Sequence, residues 1–210
     1  MRTWHACGAS VLVAGLATFW TGLANASEAI VGSVVAVRGE VFVETSAGQQ
    51  PLTIGTPVHL KDTIVSAAGK ARIALADGTV ISVGENTRLR VVEYESKAVD
   101  QKTRLSLLSG VLRLVVAKVS PAGSFEVETE TAIAAVRGTD WVIEATSENT
   151  AVALIAGVVA VSNRGGPERI TVVLDRPGQG TDVRRNSAPT PVKEWGAERF
   201  ANTVARATFD

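Results

Sequence analysis

The amino-acid sequence predicts an all-β protein with one amphipathic helix near its C-terminal end. Apolar residues alternate with polar ones at period two from Ile30 to Val183, valine and isoleucine dominate the apolar content, and glycines interrupt the pattern at short intervals. Branched side chains suit a pleated, half-buried surface, and short strands separated by glycine turns are typical of sandwiches and jelly rolls. We therefore expect a β-sandwich or jelly-roll-like fold, with a short β-solenoid as the alternative.

The first 26 residues have the pattern of an export signal. Residues 9–23 are mainly apolar, Arg2 is the only charge before Glu28, and Ala24-Asn25-Ala26 fits a small-residue cleavage site. The apolar run is short for a spanning helix, which needs about 20 residues. We expect a signal peptide at 1–26, an all-β domain at 27–185, and a linker with a helix at 186–210. The protein would then be periplasmic or secreted, touching the membrane only if the signal stays uncleaved.

Composition excludes several classes of protein. Removing residues 1–26 leaves 20 basic against 21 acidic residues, a net charge of −1, whereas nucleic-acid binders normally show a basic excess. We therefore expect no nucleic-acid partner. The only cysteine, Cys7, lies in the removed segment, so the mature chain forms no disulfide and depends on core packing. Its 184 residues can bury about 70% of the unfolded surface, which is enough for one domain.

The first strands show alternation with one face buried. Two turns support this pattern, one at Gly39 and one at Asp77-Gly78. At the second turn, a three-residue loop with Gly78 in the left-handed conformation keeps all the apolar residues of both strands on one face, whereas a two-residue loop does not. We therefore predict pairing of Leu75 with Thr79 and of Ile73 with Ile81. The residues expected to share the first buried face are Val31, Val35, Val37, Val41 and Val43.

A repeated unit occupies the middle of the chain. Residues 105–114 (LSLLSGVLRL) align without a gap with 152–161 (VALIAGVVAV), and the glycines of the two copies are Gly110 and Gly157. We interpret each as the turn of a hairpin, pairing Leu107 with Leu112 in the first copy and Leu154 with Val159 in the second. A Gly-Thr pair also opens an extended run four times, at Gly55-Thr56, Gly78-Thr79, Gly138-Thr139 and Gly180-Thr181.

The C-terminal end changes to a helical pattern. Thr190 can cap a helix that begins at Pro191 and ends near Ala205, and apolar residues follow at near-helical spacing. The apolar stripe is expected to pack on the sheet. The alternative is that Trp195 and Phe200 dock a partner.

These motifs together resemble the FecR family of periplasmic regulatory proteins. Six motifs follow in the family's order after the opening strand pair, and the resemblance runs from Gly32 to about Val161. The matching segments are Gly39-Glu40-Val41-Phe42-Val43, Leu52 to Ile64, Ala71 to Thr79, Leu108 to Val111, Phe125 to Thr129, Ala135 to Thr139 and Ala156 to Val158.

The resemblance implies an all-β periplasmic domain without catalytic residues or cofactors. In the founding members that domain relays ligand occupancy from an outer-membrane transporter to a cytoplasmic sigma factor. Those regulators carry a sigma-binding segment and a membrane helix before the β domain, whereas here about 29 residues with an export pattern precede it. We therefore expect an envelope protein as partner, such as a transporter or sensor component. Glu130 stands where the family usually has proline, which alters one local turn.

Residues 137–141 form the candidate binding site. Arg137 beside a tight Gly138-Thr139 corner could present its planar guanidinium to a carboxylate of a ligand or partner; alternatively it is tied internally to Asp140 or Asp77. Trp141 could stack on a ligand, although core packing with a satisfied indole N–H is the simpler interpretation.

The inventory of reactive side chains argues against an enzyme. His59 is the only histidine after residue 26 and no cysteine remains, so neither a nucleophile triad nor a zinc site is expected. A hydrolase would have to use a carboxylate pair such as Asp77 and Asp140. The leading hypothesis is an exported module that binds a protein partner through β edges and the Gly-Thr corners, and the alternative is a cell-wall glycan-binding module that uses Trp141 or Tyr94.

Overall fold

The computed structural model describes residues 29–96 and 101–209. The predicted signal peptide lies outside these residues. Within them, no helix combines the length and the apolar character needed to cross a bilayer. The elements are β1 (Ile30–Arg38), β2 (Val41–Thr45), β3 (Gly48–Pro51), β4 (Pro57–His59), β5 (Thr63–Ser66), β6 (Lys70–Leu75), β7 (Val80–Val83), β8 (Arg88–Ser96), β9 (Gln101–Val115), β10 (Ser124–Glu128), β11 (Ala132–Val136), β12 (Asp140–Ala145), β13 (Asn149–Ala156), β14 (Val159–Asn163), β15 (Thr171–Leu174), β16 (Gln179–Arg184), β17 (Lys193–Glu194) and α1 (Ala197–Arg206).

The strands form two sheets that share β9. Sheet A has the order β4-β1-β6-β7-β9-β12-β13-β16-β17, and sheet B has the order β3-β2-β5-β8-β9-β10-β11-β14-β15. The N-terminal half of β9 belongs to sheet B and its C-terminal half to sheet A. Every pairing is antiparallel except that of β9 with β10. The predicted all-β fold with one C-terminal helix is confirmed.

A single hydrophobic core lies between the two sheets. The fully buried side chains of sheet A, such as Ile73, Leu112 and Trp141, belong to the same cluster as Leu89 and Leu105 of sheet B. Alternation therefore places one face of each strand in the core and the other outside, which is the two-layer arrangement that the sequence pattern predicts.

The hairpin at Asp77-Gly78 has the predicted register. Ile73 pairs with Ile81, the amide of Leu75 donates to the carbonyl of Thr79 at 2.8 Å, and Gly78 has φ of +87°. The side chain of Asp77 accepts from the Thr79 amide at 2.8 Å. The prediction of this hairpin is correct because its register and its turn both depend on residues that are close together in the sequence.

The hairpins predicted at Gly110 and Gly157 are wrong. Leu107 pairs with Leu89, whereas Leu112 pairs with Val83 and Ile143, so Gly110 lies inside β9 and bends it from sheet B to sheet A. Gly157 likewise carries the chain from β13 in sheet A to β14 in sheet B. When a strand bends from one sheet to the other, the apolar residues before and after the bend face the same core. A hairpin turn has the same effect, so the two cannot be told apart from the pattern of apolar residues.

Two other element predictions also need correction. Val35 is 44% exposed because β1 has an irregular register between Val34 and Ala36, and Val34 takes its place in the core. Gly180 lies inside β16 rather than at the start of a strand. The Gly39 turn joins β1 to β2 as expected, with φ of +74°.

The helix begins later than predicted. The hydroxyl of Thr190 accepts from the Asp182 amide at 3.0 Å instead of capping a helix, and the chain continues as β17 before α1 starts at Ala197. As predicted, the apolar residues of this segment pack on the sheet rather than facing away from it. They contact the outer face of sheet A in a cluster formed by Val142, Ala151, Ala153, Trp195, Ile155, Phe200 and Val204.

Candidate functional site

The corner at Gly138 joins β11 of sheet B to β12 of sheet A. Gly138 has φ of +97°, a conformation that glycine adopts without steric cost. The Thr139 hydroxyl donates to the Val158 carbonyl at 2.9 Å and lies 3.4 Å from the Val158 amide. Because Val158 follows Gly157, Thr139 connects the corner at Gly138 to the corner at Gly157.

The same contact occurs in the other copy of the sequence repeat. The Thr87 hydroxyl accepts from the Val111 amide at 3.0 Å and lies 3.3 Å from the Val111 carbonyl, and Val111 follows Gly110. Thr87 and Thr139 are both almost fully buried. The repeat is therefore a structural unit in which a threonine from a neighbouring corner binds the backbone after the glycine, and Thr139 belongs to this framework rather than to a ligand site.

Asp140 is bound by Arg113 and not by Arg137. The Arg113 Nε and Nη2 atoms donate to the two carboxylate oxygens of Asp140 at 3.1 and 2.9 Å. This hydrogen bonding raises the pKa of Arg113, and burial opposes it. Because Asp77 is held in its own turn by the Thr79 amide, both internal acceptors predicted for Arg137 are engaged elsewhere. The same contacts give Asp77 and Asp140, the carboxylates considered for a hydrolase, structural partners.

Trp141 is a core residue and cannot stack on a ligand at the surface. Its side chain is 0% exposed, and it pairs with Leu114 on one side and Leu154 on the other. Core packing is the interpretation that the structure supports. The indole N–H, expected to have a partner, lies buried without a hydrogen-bond acceptor among the described residues.

Tyr94 offers no open aromatic platform either. Its ring packs against the core, and its buried hydroxyl makes no hydrogen bond of good geometry with the described chain. Burial raises the pKa of Tyr94, and the negative charge of Asp77 adds to the increase. Neither aromatic residue named for glycan binding is thus placed to stack on a sugar.

Arg137 is the one predicted site residue with an exposed, uncommitted side chain. It forms no hydrogen bond or ion pair with any residue in 29–96 or 101–209. It lies at the rim of a cavity of about 490 Å³ on the outer face of sheet B, which we call the Arg137 groove. Its lining includes the side chains of Ser124, Glu126, Ala135, Val158 and Ala160.

The strand register orders the groove into rows. Ala135 pairs with Ala160, which pairs with Val173, so a small apolar row crosses β11, β14 and β15. Further along these strands, Ser124 of β10 pairs with Lys102 of β9. Arg137 directly follows Val136, the residue of β11 that pairs with Phe125 of β10. Glu126 pairs with Ala135 at the end of the apolar row, so the groove has a largely apolar floor with one acid, and a cationic rim.

The cations of the rim form no ion pair in the described part of the chain, and one acid, Glu126, lines the groove. Lys102, Lys118 and Arg137 are exposed, and none of them forms an ion pair there. A Cβ placed on Gly138 would stand 3.1 Å from Cγ of Lys118, so Lys118 lies directly beside the corner. Glu126 is engaged on the opposite side by Arg104, at 3.6 Å. Unpaired cations beside an apolar floor suit a carboxylate with an adjoining apolar group.

The groove continues to an edge strand. Within the described residues β15 pairs with β14 alone, so one side of its backbone has no strand partner. Val173 and Ile170 on this edge are 51% and 42% exposed. An unpaired edge of this kind can accept a further strand.

His59, the one histidine considered for catalysis, lies in a structural contact with Asp62. The Asp62 carboxylate accepts from the His59 amide at 2.8 Å and lies 3.5 Å from the His59 ring nitrogen Nδ1. Over the two described ranges, no three or more His, Cys, Asp or Glu side chains gather closely enough to hold a metal ion.

Comparison with known proteins identifies the domain. Residues 62–160 match the family model described as FecR protein. Two crystal structures of a proposed anti-sigma factor from Parabacteroides distasonis ATCC 8503 share the fold, with TM-scores of 0.53 and 0.52 at 22% identity. Each alignment covers 65% of this chain and 61% of the other, so this chain spans about three-fifths of the length of those proteins. A comparison with curated proteins returned no match. The family match covers the Asp-Gly-Thr hairpin and the Gly110, Gly138 and Gly157 corners just described, so this part of the chain, residues 62–160, matches the FecR protein family.

Proposed function

We propose that this chain is an exported, non-catalytic module of the bacterial envelope that takes part in regulatory signalling by binding a protein partner at the Arg137 groove and edge strand β15. Its FecR domain supports the regulatory class. The likeness in fold to a proposed anti-sigma factor is consistent with that class. The single observation that carries the site is Arg137, exposed and unpaired beside an apolar groove that ends at an open strand edge.

Binding would combine two kinds of contact. A partner strand added to β15 would satisfy the backbone groups of the edge and extend the apolar row of Ala135, Ala160 and Val173. A carboxylate of the partner would then accept two hydrogen bonds from the guanidinium of Arg137, whose fork geometry suits a carboxylate. The backbone contacts supply affinity, and the charge contact selects acidic partners.

Site-specific photo-crosslinking in cells tests this proposal. A photoreactive residue at Val173 should capture one partner, and Arg137→Gln in the same chain should reduce that product strongly. The matched control is Arg184→Gln, which removes an exposed arginine on β16 of sheet A. A photoreactive residue at Gln49, on the opposite edge strand of sheet B, controls for position. Equal products from Val173 and Gln49, or no effect of Arg137→Gln, would contradict the proposed site.

Export is tested separately. The proposal expects a mature chain that begins at Ser27 and is recovered with the periplasmic or extracellular fraction. Intact-mass measurement of the protein from its native host would show the loss of residues 1–26. A mass that retains them would support a membrane anchor instead.

A further inference from the structure

A second groove on the outer face of sheet B has a different character. It crosses β5, β8 and β9, has a volume of about 500 Å³, and we call it the Arg90 groove. Three of its lining side chains are cationic and two are apolar. They are Lys61, Arg88, Arg90, Val92 and Leu108.

Both apolar residues of this groove stand at irregularities in one strand pair. Arg88 pairs with Ser109 and the next residue, Leu89, with Leu107, so Leu108 is an extra residue on β9. The same ladder shifts again at Val92, which is the extra residue on β8. Val92 follows the buried Val91 and Leu108 follows the buried Leu107, so both face outward on the same side as Arg90 and Ser106. They are 41% and 40% exposed on the outer face.

Lys61 is held in an unfavourable backbone conformation at the same groove. Its φ is +73°, and the other two described non-glycine residues with positive φ, Asn86 and Asn186, are asparagines. Asparagine and glycine tolerate this region far better than lysine does. The Lys61 amide donates to the Val91 carbonyl at 2.9 Å, and the Val91 amide donates to the Asp62 carbonyl at 3.1 Å. These two hydrogen bonds hold the strained backbone in place, and because strain of this kind clusters at ligand-binding sites, Lys61 is a candidate ligand-binding residue.

The cations surround a polar centre. Arg90 pairs with Thr63 on one side and with Ser106 on the other, so two hydroxyl groups flank it. Arg88 is bound by both carboxylate oxygens of Glu44. Lys61 and Arg90 form no ion pair within the described ranges. The groove therefore keeps two uncompensated positive charges beside two hydroxyl donors.

We propose that the Arg90 groove binds an anionic amphiphile: the phosphate-bearing headgroup of a phospholipid, with its apolar part against Val92 or Leu108. Arginine and lysine are the side chains that bind phosphate oxygens, and the hydroxyls of Thr63 and Ser106 supply further donors. A free phosphate would use the cations but would leave both bulge residues uncovered. This inference does not depend on partner binding at the Arg137 groove.

Titration of the purified chain with dihexanoylphosphatidylglycerol, a lipid soluble as single molecules, tests the proposal by calorimetry. Lys61→Asn should weaken binding on the order of tenfold, the effect of losing one charge-assisted contact. Since asparagine accepts the left-handed backbone, this variant should melt no lower than the unchanged chain. Arg90→Gln should weaken binding similarly, whereas Arg184→Gln should not.

Two results would overturn the proposal. Glycerol 1-phosphate tests the headgroup alone: binding as tight as that of the lipid would show that Val92 and Leu108 contribute nothing and that no amphiphile is selected. Lipid binding that survives both Lys61→Asn and Arg90→Gln would place the lipid elsewhere on the chain.

Discussion

At the scale of single residues, the motif at 137–141 divides into framework and surface. Thr139 binds the backbone of Val158, Asp140 binds Arg113, and Trp141 fills the core. These three contacts hold the corner in place and leave Arg137 directed to solvent. Arg137, whose side chain is free, is thus supported by three neighbours whose side chains are all engaged in structural contacts.

Thr139→Val tests the framework contact. Valine has nearly the same shape but lacks the hydroxyl, so the Val158 carbonyl and amide lose their partner. An unsatisfied buried polar group costs about 1–3 kcal/mol. Urea denaturation should therefore show a loss of that size in the free energy of unfolding. Thr87→Val should lose at least as much, because Thr87 makes the same contact at Val111 and Val111 is fully buried, whereas Val158 is 50% exposed.

The matched control is Thr45→Val. Thr45 binds the Gly48 carbonyl at 3.2 Å in an exposed turn, where water can replace the hydroxyl. Its loss should stay within about 0.5 kcal/mol, as for most surface substitutions. Equal losses for Thr45→Val and Thr139→Val would show that the corner contact adds no stability.

Sequence reasoning selected the motif at 137–141 as the candidate site but did not predict the partners of its residues. It selected Arg137, and it favoured an internal acceptor that the structure assigns to Arg113 instead. Arg113 is 27 residues before Asp140 and meets it only because β9 and β12 pair. No local pattern carries that information. The two bulges of the Arg90 groove were also missed, because an extra residue in one strand leaves only a small irregularity in the alternation.

At the scale of elements, the C-terminal segment packs on part of the outer face of sheet A. Trp195 lies against the backbone of Gly180, and the Arg199 guanidinium stacks 3.6 Å from the Trp195 ring while it binds Asp182. Lys70 donates to the carbonyls of Ala205 and Thr208, both at 3.0 Å. Both the Arg137 groove and the Arg90 groove lie on the other sheet, on the outer face of sheet B.

Gly180→Ala should detach this segment. A Cβ at position 180 would stand 2.2 Å from Nε1 of Trp195, so the indole must move away from the sheet. Helix α1 has only 10 residues, and a helix of that length is marginal in water without packing. Hydrogen exchange read by mass spectrometry should show amides of residues 197–206 exchanging about tenfold faster or more, with the strands unchanged.

Gly196→Ala is the control for this change. Gly196 lies at the start of α1 with φ of −56°, and nothing stands within 4 Å of an added Cβ. Exchange in α1 should remain as in the unchanged chain. Full protection of α1 in Gly180→Ala would mean that Trp195 does not anchor the helix.

The sequence predicted the existence of this helix but not its start. Thr190-Pro191 has the residues of a helix N-terminus, yet the Thr190 hydroxyl is bound to the Asp182 amide and the following residues pair with β16. The sequence around position 180 also does not show why a glycine stands there. The reason is the close approach of Trp195, which belongs to another segment. Elements defined by neighbouring residues, such as the hairpin at Asp77, were predicted correctly.

At the scale of the whole molecule, the two sheets are joined in one strand ladder because β9 belongs to both. The alternation of the sequence established that the chain is all-β with one buried face per strand. It did not distinguish a hairpin at Gly110 from a bend between layers, since both keep Leu107 and Leu112 in the core. The difference lies in partners far along the chain, Leu89 for one and Ile143 for the other.

Gly110→Ala should therefore destabilise the whole domain. The added Cβ would stand 2.2 Å from the Thr87 hydroxyl oxygen and 2.4 Å from its Cα, and alanine would also have to adopt φ of +96°. The backbone conformation costs about 1–2 kcal/mol and the overpacking a further 1–3 kcal/mol or so. Gly55→Ala separates these effects, because Gly55 has φ of +86° and open space around it. Urea denaturation should show the smaller loss for Gly55→Ala; equal losses would mean that β9 can bend between the sheets without the close contact at Thr87.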